Sequence, residues 1–204
     1  MMKLALALLL TLSSTDAFAS TGARSLPLHG HLVDGVNRRV PARRAVRRKV
    51  AAPAARPVVT EIDANGLKKL LQRGEAGAAA RPLLVNFWAT WCGPCRQEFP
   101  DLVKIDAEYR GRALQFVTVS ADDRAELKTG VPKFLREMRA TAMPAYLLNA
   151  TDTEAAIAQV DPAWGGELPA TFLFDRQGTL VYKHTGLIDA MELRAALEKV
   201  MGDK

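Results

Sequence analysis

Two cysteines that stand three positions apart, directly after a long apolar run, constrain the fold of this 204-residue chain more than any other feature. Residues 82–89, with the sequence P-L-L-V-N-F-W-A, are nearly all apolar, which is typical of a strand buried on both faces of a sheet. Cys92 and Cys95 follow this run, and Pro94 between them suits the first turn of a helix, where its missing N–H is not needed. The pattern predicts a buried strand that leads into a helix carrying both thiols at its N-terminus.

Strand and helix patterns alternate along residues 58–204 and predict one α/β domain with a mixed β-sheet flanked by helices. The predicted strands are 58–62, 82–89, 114–120, 145–148, 171–174 and 179–183. The predicted helices begin near residues 63, 92 and 189 and span 124–139 and 153–160. The segment 175–178 (D-R-Q-G) is a turn signal, so the last two strands are expected to form a hairpin.

Positive charge is concentrated at the start of the chain. Residues 1–60 hold ten basic and two acidic residues, whereas residues 61–204 hold 18 basic and 20 acidic ones. A protein that binds nucleic acid usually carries its basic patch on the folded domain, so no nucleic-acid partner is expected. Two cysteines complete neither a disulfide framework nor a four-thiolate zinc site, and no metal or cofactor is expected.

The first nineteen residues are typical of a secretory signal peptide. A basic start at Met1-Met2-Lys3 precedes an apolar run from Leu4, and Ala17-Phe18-Ala19 forms an A-x-A cleavage site. We expect cleavage after Ala19 and export, in a bacterium to the periplasm. An uncleaved membrane anchor is the alternative, although the apolar run is shorter than the ~18 residues of a membrane span.

Residues 20–57 are predicted to be a disordered basic linker rich in Ala, Pro and Arg. Eight Lys and Arg residues lie between positions 38 and 56, and the segment has no periodic apolar pattern. A plain spacer is one interpretation. The other is weak contact with anionic phospholipid headgroups, to which each basic residue near the surface contributes about 1 kcal/mol.

The cysteine pair is predicted to be a redox site. Backbone N–H groups and the dipole at a helix N-terminus stabilise a thiolate, which makes Cys92 the attacking thiol and the more shielded Cys95 the resolving thiol. Gly93 is expected to keep the approach to Cys92 open, and Trp91 to form an exposed rim. The alternatives are half of a metal site and an inert disulfide, although a four-residue loop restricts little chain entropy.

Residues 85–100 resemble the active-site segment of the thioredoxin superfamily and, more narrowly, of the exported TlpA/ResA-like thiol–disulfide reductases. The resemblance covers residues 58–204 and implies a thioredoxin-like fold with an insertion between the second and third core strands, roughly 120–165. It also implies that Pro169 is a cis-proline facing the cysteines and that the backbone of Leu168 pairs with a bound substrate. Pro100 and Gly186 match the helix proline and the substrate-loop glycine of the family; they are placed here by resemblance alone.

The residue expected to accept a proton from the second thiol differs from that of thioredoxin itself. Where thioredoxin has a buried Asp six residues before the first cysteine, this chain has Asn86, which does not titrate. The TlpA/ResA-like branch carries an acid three residues beyond the second cysteine, so the resemblance implies Glu98 as general base for Cys95. A solvated helix glutamate is the alternative. Asp122 and Asp161 are predicted to be loop or capping residues, and Trp164 to line the substrate groove.

Taken with the resemblance, these features predict an exported thiol:disulfide oxidoreductase that mainly reduces disulfides of protein substrates. The family implies re-reduction by a membrane electron donor of the DsbD/CcdA type, and a monomer is expected. Two alternatives stay open: a disulfide oxidase or isomerase, and a non-catalytic copper-binding module that uses the thiols as soft ligands.

Overall fold

A computed structural model describes residues 56–72 and 81–202 of the chain. The predicted signal peptide and nearly all of the predicted basic linker lie outside these residues. Among the described residues, no helix combines the length and the apolar character needed to cross a membrane.

The described chain forms six strands, five α-helices and one short 3-10 helix. The strands are β1 Val59–Ile62, β2 Leu83–Trp88, β3 Gln115–Ser120, β4 Ala145–Leu148, β5 Ala170–Phe174 and β6 Leu180–Thr185. The helices are α1 Ala64–Leu71, α2 Gly93–Tyr109, α3 Gly130–Glu137, α4 Thr153–Ala158 and α5 Ala190–Gly202. Every predicted strand is present within one or two residues of its expected position.

The helix predicted over 124–139 is wrong as a single element. The structure has a 3-10 helix at Arg124–Lys128 and a separate helix α3 that begins at Gly130. Pro132 is the physical reason, because inside a continuous helix its ring would clash with the carbonyl of Lys128 and it has no N–H to donate. In the restarted helix the proline lies in the first turn, where that N–H is not needed.

The sheet has the strand order β1-β4-β3-β2-β5-β6. The first four of these strands run parallel, whereas β5 is antiparallel to both β2 and β6. The predicted mixed α/β fold is therefore confirmed. Residues 121–169 lie between β3 and β5, where the insertion is predicted, and this segment supplies β4, which separates β1 from β3.

Helices cover both faces of the sheet. On one face α2, α3 and α5 bury an apolar cluster that includes Trp88, Phe99 and Phe134. On the other face α1 and α4 pack over a cluster that includes Phe87, Phe172 and Trp164. Strand β2 lies in the middle of the sheet and all six of its residues are buried, so its apolar run serves both clusters.

The segments that carry the predicted site meet at one edge of the sheet. Trp88, the last residue of β2, is paired with Ser120, the last residue of β3. On the other side of β2, Phe87 is paired with Ala170 at the start of β5, and Ala170 is paired with Thr185 at the end of β6. The chain on either side of these strand ends therefore converges around the start of α2.

Candidate active site

The cysteine pair lies at the N-terminus of α2 and is joined by a disulfide, with a Cα–Cα distance of 5.3 Å. Cys92 is the N-cap residue of the helix, and its Sγ accepts a hydrogen bond from the backbone N–H of Cys95 at 3.1 Å. Cys92 keeps 5% of its surface exposed, whereas Cys95 is fully buried. The helix N-terminus thus directs a backbone donor at the sulfur of Cys92, the less buried residue of the pair.

The residues around the pair leave its outer side open. Trp91 is 71% exposed, and Gly93 and Pro94 are also exposed. A Cβ atom built on Gly93 would meet no other atom within 4 Å, so packing does not require glycine there. A side chain at that position would instead extend into the solvent in front of Cys92.

The segment before β5 has the cis-proline that the resemblance implies. The Leu168–Pro169 peptide bond is cis, and Pro169 is buried while Leu168 is partly buried. The carbonyl of Pro169 accepts a hydrogen bond of 2.8 Å from the N–H of Gly186. Gly186 has φ +94°, a left-handed conformation that favours glycine, so the backbone of this loop, rather than lack of room, requires the residue.

Glu98 is buried rather than solvated, with 3% of its surface exposed. One carboxylate oxygen accepts from Asn86 Nδ2 at 2.8 Å, and the other accepts from the backbone N–H of Ile188 at 3.1 Å. The carboxyl thus joins the active-site helix to β2 and to the loop that follows β6. The alternative of an exposed helix glutamate is excluded by this burial.

Burial raises the pKa of Glu98 from 4.5 to about 7, because an ionised carboxylate is poorly solvated in this position. The hydrogen bonds from Ile188 and Asn86 and the charge of His184 act in the opposite direction and lower the pKa, but by less. A carboxyl group with a pKa near 7 exists in both forms at neutral pH, which is the condition for efficient general acid–base catalysis.

Asn86 takes the place of thioredoxin's buried acid and acts as a hydrogen-bond donor. Its side chain is fully buried, and Nδ2 donates to Glu98 and to Thr171 Oγ1, the latter at 3.1 Å. Its Oδ1 has no hydrogen-bond donor among the described residues. The amide group therefore donates one bond to Glu98 and one to Thr171, and its oxygen is left as an unsatisfied acceptor.

Asp122 has a structural connection to the site that sequence reasoning missed. Its buried carboxylate accepts from the backbone N–H of Thr90 at 3.0 Å and 3.1 Å, from Thr90 Oγ1 at 2.6 Å, and from Ser120 Oγ at 2.7 Å. These bonds fix the turn immediately before Trp91 and Cys92 to the end of β3. Two consecutive Asp residues after a strand give no sequence signal for such a contact.

Trp164 does not take the expected place in the substrate groove. It is 93% buried and packs on Phe87 and Phe172, with ring centroids 4.7 Å and 5.0 Å away. Its indole N–H donates to the carbonyl of Glu167 at 3.0 Å, which supports the chain just before Leu168. The ring is buried against the apolar side chains of β2 and β5. Trp164 therefore supports the segment before Leu168 and does not line the groove.

Within 56–72 and 81–202, no group of three or more His, Cys, Asp or Glu side chains could hold a metal ion. Asp161 lies in a loop, as predicted. Its carboxylate accepts hydrogen bonds from Lys183 Nζ at 2.6 Å and from the backbone N–H of Ala163.

Residues 51–197 match the family described as Redoxin. The thiol:disulfide interchange protein DsbE of Pseudomonas aeruginosa is 30% identical over 123 residues, which are 60% of this chain and 61% of that protein. The thiol-disulfide oxidoreductase ResA of Bacillus cereus is 24% identical over 143 residues, 70% of this chain and 73% of that protein. The thioredoxin domain of a thiol-disulfide oxidoreductase from Bacteroides vulgatus has a TM-score of 0.52 and 24% identity, and the match covers 74% of this chain and 98% of that domain.

The family match covers well over half of the chain, so the chain belongs to the Redoxin family and is a thioredoxin-like thiol:disulfide oxidoreductase. The predicted resemblance to TlpA/ResA-like proteins is confirmed by the DsbE and ResA relatives. The similar solved domain supports the fold alone.

Proposed function

We propose that this protein is exported to the periplasm and works mainly as a reductase of disulfides in protein substrates. The observation that supports the dithiol exchange is the asymmetry of the pair, since Cys92 caps the helix with residual exposure and Cys95 is fully buried. Cys92, the less buried of the two residues, would attack a substrate disulfide, and the fully buried Cys95 would attack only Cys92. Two such thiols divide the exchange into an attack and a resolution.

The reaction begins with both cysteines reduced. The Cys92 thiolate attacks one sulfur of the substrate disulfide, which forms a mixed disulfide and releases the other substrate sulfur as a thiolate that takes up a proton. Cys95 loses its proton and attacks Cys92, so the second substrate sulfur leaves as a thiolate and is protonated. Two electrons pass from the enzyme to the substrate, and the enzyme ends in the disulfide form described above.

Glu98 is the proposed general base for the second step. It lies three residues beyond Cys95 on α2, which places both side chains on the same side of the helix. At neutral pH a carboxyl group with a pKa of about 7 can accept the proton of a thiol and later return it. A buried thiol needs such a local acceptor, because burial disfavours its thiolate.

The proposed substrate site consists of the residues in front of the pair. The backbone of Leu168 beside the cis Pro169 would pair with an extended substrate segment, as in strand addition. Exposed Trp91 would contact the substrate, and Gly93 and Pro94 would leave the approach to Cys92 unobstructed.

The oxidised enzyme needs an outside dithiol to return to its reduced form, because the periplasm is kept oxidising. A membrane electron donor of the DsbD/CcdA type is the proposed source, and the enzyme is proposed to act as a monomer. The basic segment that precedes Arg56 would make weak contacts with anionic lipid, which would keep the protein close to such a donor.

Trapping and a redox titration test this function together. The Cys95→Ser variant should accumulate mixed disulfides with its substrates, since the resolving thiol is gone, and Cys92→Ser should neither trap substrates nor reduce insulin. Against glutathione, the potential should lie near thioredoxin's roughly −270 mV. A value near the roughly −120 mV of DsbA would instead indicate an oxidase. Copper binding without insulin reduction would support the metal-binding module.

A further inference from the structure

A basic groove lies at the edge of the sheet, between the start of β1, the 3-10 helix and α3. Its volume is about 740 Å³, and its cationic lining consists of Arg56, Lys128 and Arg136. Apolar side chains that include Val59 and Leu127 form the rest of its wall, and no acidic residue among those that the structure describes lines it. This groove is separate from the cysteine pair and takes no part in the proposed exchange.

The three cations of the groove are available for an outside anion. Within the part of the chain that the structure describes, none of them has an ion pair or a side-chain hydrogen bond, although most arginines nearby do. Arg124 in the same 3-10 helix is paired with Glu61 at 2.8 Å, and Arg96 is paired with Glu137 at 3.1 Å. Three unpaired cations that share one concave surface produce a local positive potential that favours anionic ligands.

The chain before the groove identifies the kind of anion. Arg56 is the last of eight basic residues between positions 38 and 56, and it lines the groove itself. That segment has the same sign of charge as the groove, so it is not a suitable occupant. A small anion would engage the groove alone, whereas an extended anionic surface would engage both. Val58, two residues beyond Arg56 in the chain, is 80% exposed.

We propose that the groove of Arg56, Lys128 and Arg136 is a docking face for anionic phospholipid headgroups. With the basic segment before it, the face would hold the folded domain against a membrane rather than leave it on a flexible tether. Arg136 adjoins Glu137, whose carboxylate pairs with Arg96 in the first turn of α2. The docked domain would therefore have its active-site helix close to the bilayer, within reach of a membrane-bound dithiol.

Vesicle binding of charge variants tests the proposal. The chain from Ser20 onward, which keeps every described residue, is sedimented with phosphatidylcholine vesicles that contain or lack phosphatidylglycerol. The double variant Lys128→Gln/Arg136→Gln removes two groove charges, and Lys68→Gln/Lys69→Gln removes two exposed charges from α1, which packs on the opposite face of the sheet. Each basic residue contributes about fivefold to binding, so the groove variant should bind phosphatidylglycerol vesicles about 25-fold more weakly.

The α1 variant should bind nearly as well as the parent chain, and inorganic phosphate at equal ionic strength should not displace the protein more than chloride does. Equal losses in both variants would show that net charge alone governs binding, and an unchanged groove variant would assign all binding to the linker. Either result overturns the proposal, as does a parent chain that binds an acidic peptide but not the vesicles. Insulin reduction should be the same in all variants, which separates a failure here from a failure of the proposed exchange.

Discussion

The buried carboxyl group of Glu98 should make the stability of the domain depend on pH. Its pKa in the folded protein is about 7 against an ordinary value of 4.5, because burial disfavours the ionised form. A difference of about 2.5 pKa units corresponds to roughly 3 kcal/mol, since each unit contributes about 1.36 kcal/mol. With 3% of the residue's surface exposed, solvent screening reduces this figure little.

Because the pKa of Glu98 is raised in the folded protein, the domain becomes less stable as the pH rises. Below pH 4.5 the carboxyl group is protonated in both the folded and the unfolded chain, so its full stabilising contribution is present. As the pH rises from 4.5 to 7, the unfolded chain ionises first, and the free energy of unfolding falls. Above pH 7 the group is ionised in both states, and the contribution of about 3 kcal/mol is lost.

The Glu98→Gln variant isolates this effect, because glutamine has nearly the same size but does not titrate. Urea unfolding of the oxidised proteins gives the free energy of unfolding of each at several pH values. The parent minus variant difference should decrease by about 3 kcal/mol between pH 4.5 and 7. The exposed Glu154→Gln on α4 is the matched control and should give a nearly flat difference. A parent minus Glu98→Gln difference that does not change with pH would refute the conclusion that burial raises the pKa of Glu98.

Two further predictions concern the surroundings of Cys92. Asp122→Ala should destabilise the domain by about 1–3 kcal/mol, because the Thr90 N–H loses its acceptor. It should also slow thiol attack by reduced Cys92, whereas unchanged alkylation kinetics of Cys92 would show that the turn keeps its position without Asp122. Trp91→Ala should raise KM for protein disulfides and leave the rate with a small aromatic disulfide intact, since the ring is 71% exposed. An equal loss for both substrates would contradict a role in substrate contact.

Alternating strand and helix patterns along residues 58–204, with the family resemblance around the cysteines, allowed the fold to be predicted from the sequence. The apolar run of β2 indicates burial on both faces, and the structure buries all six of its residues between two apolar clusters. Pro94 and the cysteines mark the start of α2, and the D-R-Q-G turn marks the hairpin of β5 and β6. These signals are local, because they depend on the period of the sequence and on the properties of single residues.

Other features depend on contacts between distant residues, which one sequence does not reveal. Asp122 is bonded to Thr90, 32 positions earlier, and Asn86 is bonded to Thr171, 85 positions later. Nothing in the spacing of these residues indicates that their strands are neighbours. The cysteine segment was therefore predicted from residues that follow one another along the chain, and Pro169 was placed by resemblance. The contacts of Asp122 and Asn86 were missed because the fold brings distant residues together.

This chain has Asn86 on β2 where thioredoxin has a buried acid, and this difference changes what sets the pKa of the buried carboxyl group. Because position 86 holds an amide, Glu98 on α2 receives one donor from Asn86 and another from Ile188. Both bonds favour the ionised form and oppose the effect of burial on the pKa of Glu98. Without them that pKa would be higher than about 7, and the group would be protonated at neutral pH and unable to accept the proton of Cys95. Among the described residues the Oδ1 of Asn86 has no donor, which is a local cost of holding the carboxyl group that we propose as the base.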